Sequence, residues 1–292
     1  MRQRNEHTIA NCCQVDGRGY WSGQKVRVRM YPASVGTGLV MVRTDLVEKP
    51  MLQVGLATRQ EHQLRTVLAS GQAKFAMVEH LLASLYALEI DNCVIEVNAE
   101  ELPGLDGSAA AYVDALRSAG LVIQAAARKQ LIVDRTVRVG TAASWLEVSP
   151  THGQASQFEY VLDYGPDSPI RAQTFRSTIG PHEFSTQIAP ARTFVTSEQV
   201  QQLRAAGVAE HVSPQDLLVF DQAGPVQNRL RFDDECARHK LLDLVGDLSL
   251  INCEFIGRIV SHRGGHALNA VMAKKLLQIA QRTTDKLFRK AG

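Results

Sequence analysis

His239, Asp243 and Asp247 recur every four residues within Glu235-Cys236-Ala237-Arg238-His239-Lys240-Leu241-Leu242-Asp243-Leu244-Val245-Gly246-Asp247-Leu248. On a helix, that spacing lays all three on one face, one turn above another. Leu241, Leu242, Leu244, Val245 and Leu248 share the segment, so the face is not plain solvated surface. A buried charge is costly unless it is paired or bound to a metal. An imidazole and a carboxylate four residues apart reach one zinc ion from the same side, and a third ligand must come from elsewhere. His-x-x-x-Asp is nevertheless common, and alone it also reads as an amphipathic helix with a polar stripe.

Val78-Glu79-His80 offers another imidazole beside a carboxylate, early in an apolar stretch, 76–88, that reads as a helix. A Glu there also suits the helix dipole. His266 follows Gly264-Gly265, where backbone can approach a ligand closely. Taken together, His80, His239 and Asp243 make three protein ligands with one position open, the composition of a catalytic zinc site. Such a zinc acidifies water and polarises a carbonyl. Hydrolysis then needs a base, for which Glu79 is the candidate. It also needs an acid or oxyanion partner, for which His266 is the candidate.

Other elements must position these groups. Residues 25–30 alternate polar and apolar, as a half-buried strand does, after a turn at 17–23. Further strands are expected at 92–97, 130–133, 145–148, 158–162 and 254–260. Helices are expected near 109–116, over 197–206 and 235–250, and from the turn 261–266 to residue 287. Residues 123–129 lose any pattern and read as a linker. Ser108 follows His80 by 28 residues, as Ala267 follows His239. In both halves the order is a Leu-rich helix, a strand, a Gly-containing loop and a second helix. This internal repeat predicts an α+β protein of two similar domains, 1–126 and 127–292. Each would be a strand layer with two helices on one side, and the helices would face each other across the site.

Composition narrows the class. With 45% hydrophobic and 21% charged residues, a packed core is expected rather than disorder. The balance of 32 basic against 30 acidic side chains argues against a nucleic-acid surface. No apolar run nears the roughly 20 residues that span a bilayer, and residues 1–7 lead into no signal-peptide core. Five cysteines without a C-x-x-C pair fit a reduced, cytoplasmic protein, with Cys236 in the core.

Five motifs occur in order: Val78-Glu79-His80-Leu81-Leu82; Asp106-Gly107-Ser108-Ala109; Ala191-Arg192-Thr193-Phe194; Arg238-His239-Lys240-Leu241-Leu242-Asp243 with Gly246-Asp247-Leu248; and Gly265-His266-Ala267-Leu268-Asn269. From about residue 7 onward the chain resembles the zinc-dependent UDP-3-O-acyl-N-acetylglucosamine deacetylases of lipid A synthesis. The resemblance implies two two-layer α/β sandwiches, with the helices packed between the two sheets. It implies Zn²⁺ on His80, His239 and Asp243, and Glu79 as general base. His266, as imidazolium, would stabilise the oxyanion and protonate the leaving amine, with Asp247 orienting it. Thr193 would help hold the oxyanion, and Lys240 and Phe194 would contact substrate. An amide needs these aids: a strong nucleophile, a stabilised oxyanion and a protonated leaving group. The implied substrate is a lipid-tailed sugar nucleotide, met with at most transient contact at the inner leaflet.

Three places depart from the family's pattern. Trp21 stands where the family usually has a His, Met77 where a Thr is common, and 208–213 where a Gly-rich stretch is usual. None removes a ligand or the acid–base pair. They leave open a paralogue acting on another N-acetylated sugar nucleotide, or a homologue that binds one without catalysis. His262 reads as a turn residue, and Arg263 as either a phosphate contact or a solvated side chain.

Overall fold

Period-two burial builds two sheets. The computed structural model describes residues 3–62, 64–151 and 156–290. In its first half, β1 (Cys13–Arg18), β2 (Lys25–Pro32), β3 (Leu39–Arg43), β4 (Met51–Gln53) and β5 (Cys93–Val97) form one sheet in the order β1-β2-β5-β3-β4. Val26, Val28 and Met30 of β2 are buried, while Lys25, Arg27 and Arg29 are exposed, the pattern of a pleat with one face on a core. In the second half, β6 (Val137–Gly140), β7 (Trp145–Ser149), β8 (Gln157–Leu162), β9 (Gln173–Thr178) and β10 (Arg258–His262) repeat that order as β6-β7-β10-β8-β9. Pairing directions repeat too. β5 runs antiparallel to β2 and parallel to β3, as β10 does to β7 and β8.

The first half carries the helices α1 (Glu79–Ala87) and α2 (Ala110–Ala119). A surface helix, α3 (Ser197–Ala205), is closed at its start by a capping box between Thr196 and Gln199. The second half carries α4 (Glu235–Ser249) and α5 (His266–Lys290). α1 packs on α4, α2 on β1, and α4 on β8 and β9, so the helices lie between the two sheets of an α+β chain with two sheet-rich halves. α1 and α4 cross closely at Gly246, where a Cβ would stand 2.2 Å from the Glu79 carbonyl oxygen. No larger residue permits that crossing without a shift.

The structure corrects several local expectations. Leu121–Ala127 is no linker but a strand antiparallel to Asn5–Ile9. Leu121, Val122 and Ile123 are all exposed, so no buried face prints an alternation into the sequence. Ala76 ends the strand Ala73–Ala76 instead of opening a helix, and Met77 takes φ 61°. That left-handed residue breaks the strand and delays α1 to Glu79, placing Glu79 and His80 in its first turn. The 254–260 strand divides at Gly257 into Glu254–Ile256, parallel to Gln130–Ile132, and β10. A Cβ on Gly257 would press on Val133 at 2.8 Å. His262 therefore ends β10, stacked on Trp145 with ring centroids 5.6 Å apart, rather than sitting in a free turn. A small sheet of Arg59–Gln60, Val67–Ser70 and Ala73–Ala76 occupies a segment with no clear pattern. Among the described residues no helix is long and apolar enough to cross a membrane.

Candidate active site

α4 turns His239, Asp243 and Asp247 inward, and each is 5% exposed or less. The first turn of α1 brings His80 to them. The His80 and His239 rings meet edge to face with centroids 5.0 Å apart. His80 Nε2 lies 3.8 Å and His239 Nε2 3.5 Å from Asp243 Oδ1. One ligand atom from each residue thus lies within 4.8 Å of the others. His239 Nδ1 is 3.0 Å from the Ala191 carbonyl oxygen. A carbonyl only accepts, so Nδ1 carries the proton and Nε2 keeps its lone pair.

Burial pushes His80 down to about 3 and also lowers His239, so both rings are neutral, the ligating form. Burial would raise Asp243, but the Lys240 ammonium, with His266 adding, outweighs it and holds the carboxyl well below its usual range. Lys240 Nζ donates to Asp243 Oδ2 at 2.9 Å. Two neutral imidazoles and a carboxylate, buried and convergent, fit a divalent first-row metal.

One turn further along α4 the chemistry reverses. Asp247 Oδ2 accepts from His266 Nδ1 and from Asn269 Nδ2, each at 2.8 Å, and Oδ1 accepts the Thr66 hydroxyl. Burial pulls His266 down, yet the Asp247 charge and hydrogen bond prevail and raise it to about 9. His266 is an imidazolium at neutral pH. Glu79, fully desolvated, is raised to about 7, with His266 opposing and Asp243 and Asp247 adding to the rise. Its Oε2 accepts the Thr66 backbone N–H at 3.0 Å. Thr66 therefore ties the Glu79 carboxylate to the one behind His266.

A cavity of about 580 Å³ is lined by Glu79, His80, Thr193, Phe194, His239, Lys240, Asp243 and His266. Asp247 stands behind His266 rather than on the wall. Thr193 is held there by its N–H on the Gly107 carbonyl at 2.8 Å. The Phe194 ring centroid is 6.3 Å from that of His239 and 5.9 Å from Lys240 Nζ. The wall continues as apolar side chains, Val195, Leu203, Val212 and Leu217, and Trp21, Met77 and Ala209 also reach it. Sequence reasoning missed Thr66 and gave no role to Asn269 or the Ala191 carbonyl, although both lie in motifs it singled out. Thr66 carries no local signal, because only folding brings it to Glu79 and Asp247.

The sequence profile of the UDP-3-O-acyl N-acetylglycosamine deacetylase family matches residues 6–278. Proteins named UDP-3-O-acyl-N-acetylglucosamine deacetylase from Brucella ovis, Brucella melitensis biotype 2 and Brucella abortus are each 36% identical over 275 residues, covering 93% of this chain and 95% of theirs. With five ordered motifs on two matching α/β halves, the chain belongs to the UDP-3-O-acyl-N-acetylglucosamine deacetylase family.

Proposed function

We propose that the protein hydrolyses the N-acetyl group of a UDP-linked, 3-O-acylated N-acetylglucosamine, releasing acetate, as a zinc-dependent step of lipid A synthesis. The observation that carries this reading is the convergence of His80, His239 and Asp243 within 4.8 Å, beside a carboxylate and an imidazolium. His80, His239 and Asp243 would hold the zinc, which when bound acidifies water and polarises the acetamide carbonyl. Glu79 takes the proton from the attacking water, and a carboxylate with its pKa near 7 suits that task. Asp247 keeps Nε2 of His266 protonated, ready to stabilise the oxyanion and then protonate the amine. Thr193 adds a donor to the oxyanion, and Lys240 and Phe194 hold the substrate. The apolar end at Leu203, Val212 and Leu217 suits a 3-O-acyl chain.

Residues 1–126 and 127–292 form the two domains in this reading, which the repeated sheet order supports. Reduced cysteines favour a cytoplasmic protein that meets its lipid-tailed substrate at the membrane surface. Trp21, Met77 and Ala209 on the cavity wall favour a second reading, a reshaped specificity. Acetate release from acylated and unacylated UDP sugars, before and after chelation, separates these. The acylated sugar should be turned over, lost on chelation and restored by zinc. Preference for the unacylated sugar would select the paralogue. Turnover that ignores chelation would remove the metal mechanism.

A further inference from the structure

Among the described residues, Arg65 is a cation of the cavity wall that has no acid. Lys240 is paired with Asp243, and His266 with Asp247. Arg65 is partly buried and makes no ion pair, and its Nε is buried without a hydrogen-bond partner. Its guanidinium carbon lies 4.9 Å from the centroid of the Trp21 ring, within cation–π reach. Trp21 belongs to a pinned turn. Its N–H and that of Ser22 each donate to a Glu101 carboxylate oxygen at 2.8 Å, and Glu101 is buried. Arg65 directly precedes Thr66, which bonds Glu79 and Asp247. Both Arg65 and Trp21 line the cavity of Glu79, His80 and His266. A cation–π contact restrains a guanidinium without using up its N–H donors. A half-buried cation with free donors, beside the reacting groups, is complementary to an anion.

We propose that Arg65, held against Trp21, engages an oxyanion of the bound ligand and sets specificity for it. The inference rests on the deacetylase reading above. That reaction offers two such oxyanions, the diphosphate of the UDP sugar and the acetate it releases. A guanidinium can meet either in bidentate fashion.

The test uses the zinc-loaded full chain with R65A, R65K and W21A, after metal content and thermal midpoint have been matched to the unaltered protein. R65M replaces R65A if that variant loses metal. If Arg65 meets the diphosphate, R65A raises KM for the acylated UDP sugar about 10–100-fold, with kcat nearly unchanged. Inhibition by UDP then weakens in step, and inhibition by acetate does not. If it meets acetate, product inhibition by sodium acetate weakens about tenfold and inhibition by UDP is unchanged. In either case R65K recovers little, since an ammonium lacks the planar fork, and W21A reproduces a smaller part, about 3-fold. Unchanged KM and unchanged inhibition by both ligands in the Arg65 variants overturn the inference. So does loss of metal in R65M as well as R65A, with an equal loss in every readout. Unaltered protein that releases no acetate overturns the deacetylase reading instead, whatever the variants do.

Discussion

Two histidine–carboxylate pairs, whose carboxylates lie one turn apart on α4, end in opposite charge states. Beside Asp243, His80 is pushed down to about 3, while beside Asp247, His266 is raised to about 9. Their exposures, 7% and 5%, are nearly equal, so desolvation does not decide. The carboxylates differ in how they are already used. Asp243 gives an oxygen to the Lys240 ammonium and faces two imidazoles at 3.5–3.8 Å. Asp247 meets neutral donors, Thr66 and Asn269, and one imidazole at 2.8 Å. A histidine's charge is set by what competes for its carboxylate. One corner thereby offers neutral imidazoles and a carboxylate that could hold a metal ion, and the other holds a proton.

The contrast breaks most completely at the first corner. His80→Ala or His239→Ala should lower bound zinc toward zero and acetate release to background while circular dichroism stays native. Full zinc occupancy in both variants would show that the ligand set is wrong. Glu79→Ala should keep the metal and lower kcat/KM by about 10²–10⁴. Near-normal turnover there would remove the proposed base.

The second corner is tested by pH. kcat/KM should rise as Glu79 loses its proton and fall as His266 loses its own near pH 9. His266→Gln should flatten the alkaline arm and cost about 10²–10⁴ in rate. Asp247→Asn should keep the metal, cost about 10–100-fold, and move that arm toward the ordinary histidine value. An arm that stays in place would mean another group titrates there. Stability shares the sign. His266 is raised above its unfolded value of 6.5, so its ion pair contributes fully below pH 6.5 and is lost as pH climbs through about 9. In metal-free protein, unfolding free energies of the unaltered chain and Asp247→Asn should differ by roughly 3 kcal/mol more at the acid end of that window than at the alkaline end. The smallest effect is expected from Thr66→Val, about tenfold in kcat/KM. It removes the hydroxyl from Asp247 but keeps the N–H on Glu79. A Thr66→Val enzyme with unchanged rate and pH profile would show that the hydroxyl plays no part in poising His266.

Much of the frame was legible because it is local. The four-residue spacing of His239, Asp243 and Asp247 places them on one face of any helix, and alternation at 25–30 marks β2. The 28-residue intervals reflect a repeat that the two identical strand orders display. Leu121–Ala127 was illegible because its pairing with Asn5–Ile9 buries no continuous face. The delayed start of α1 was illegible because it depends on one left-handed residue, Met77.

By itself the sequence determined which side chains share a helix or strand face and, through the order of its motifs, the family. The first follows from chain periods of 3.6 and 2 residues that need no distant partner, and the second from residue identities kept in order along the chain. Tertiary structure alone decided the charge states. Desolvation and Coulomb energy depend on neighbours far along the chain: Gly246 admitting the Glu79 backbone, and the Thr66 hydroxyl reaching Asp247 across 181 residues.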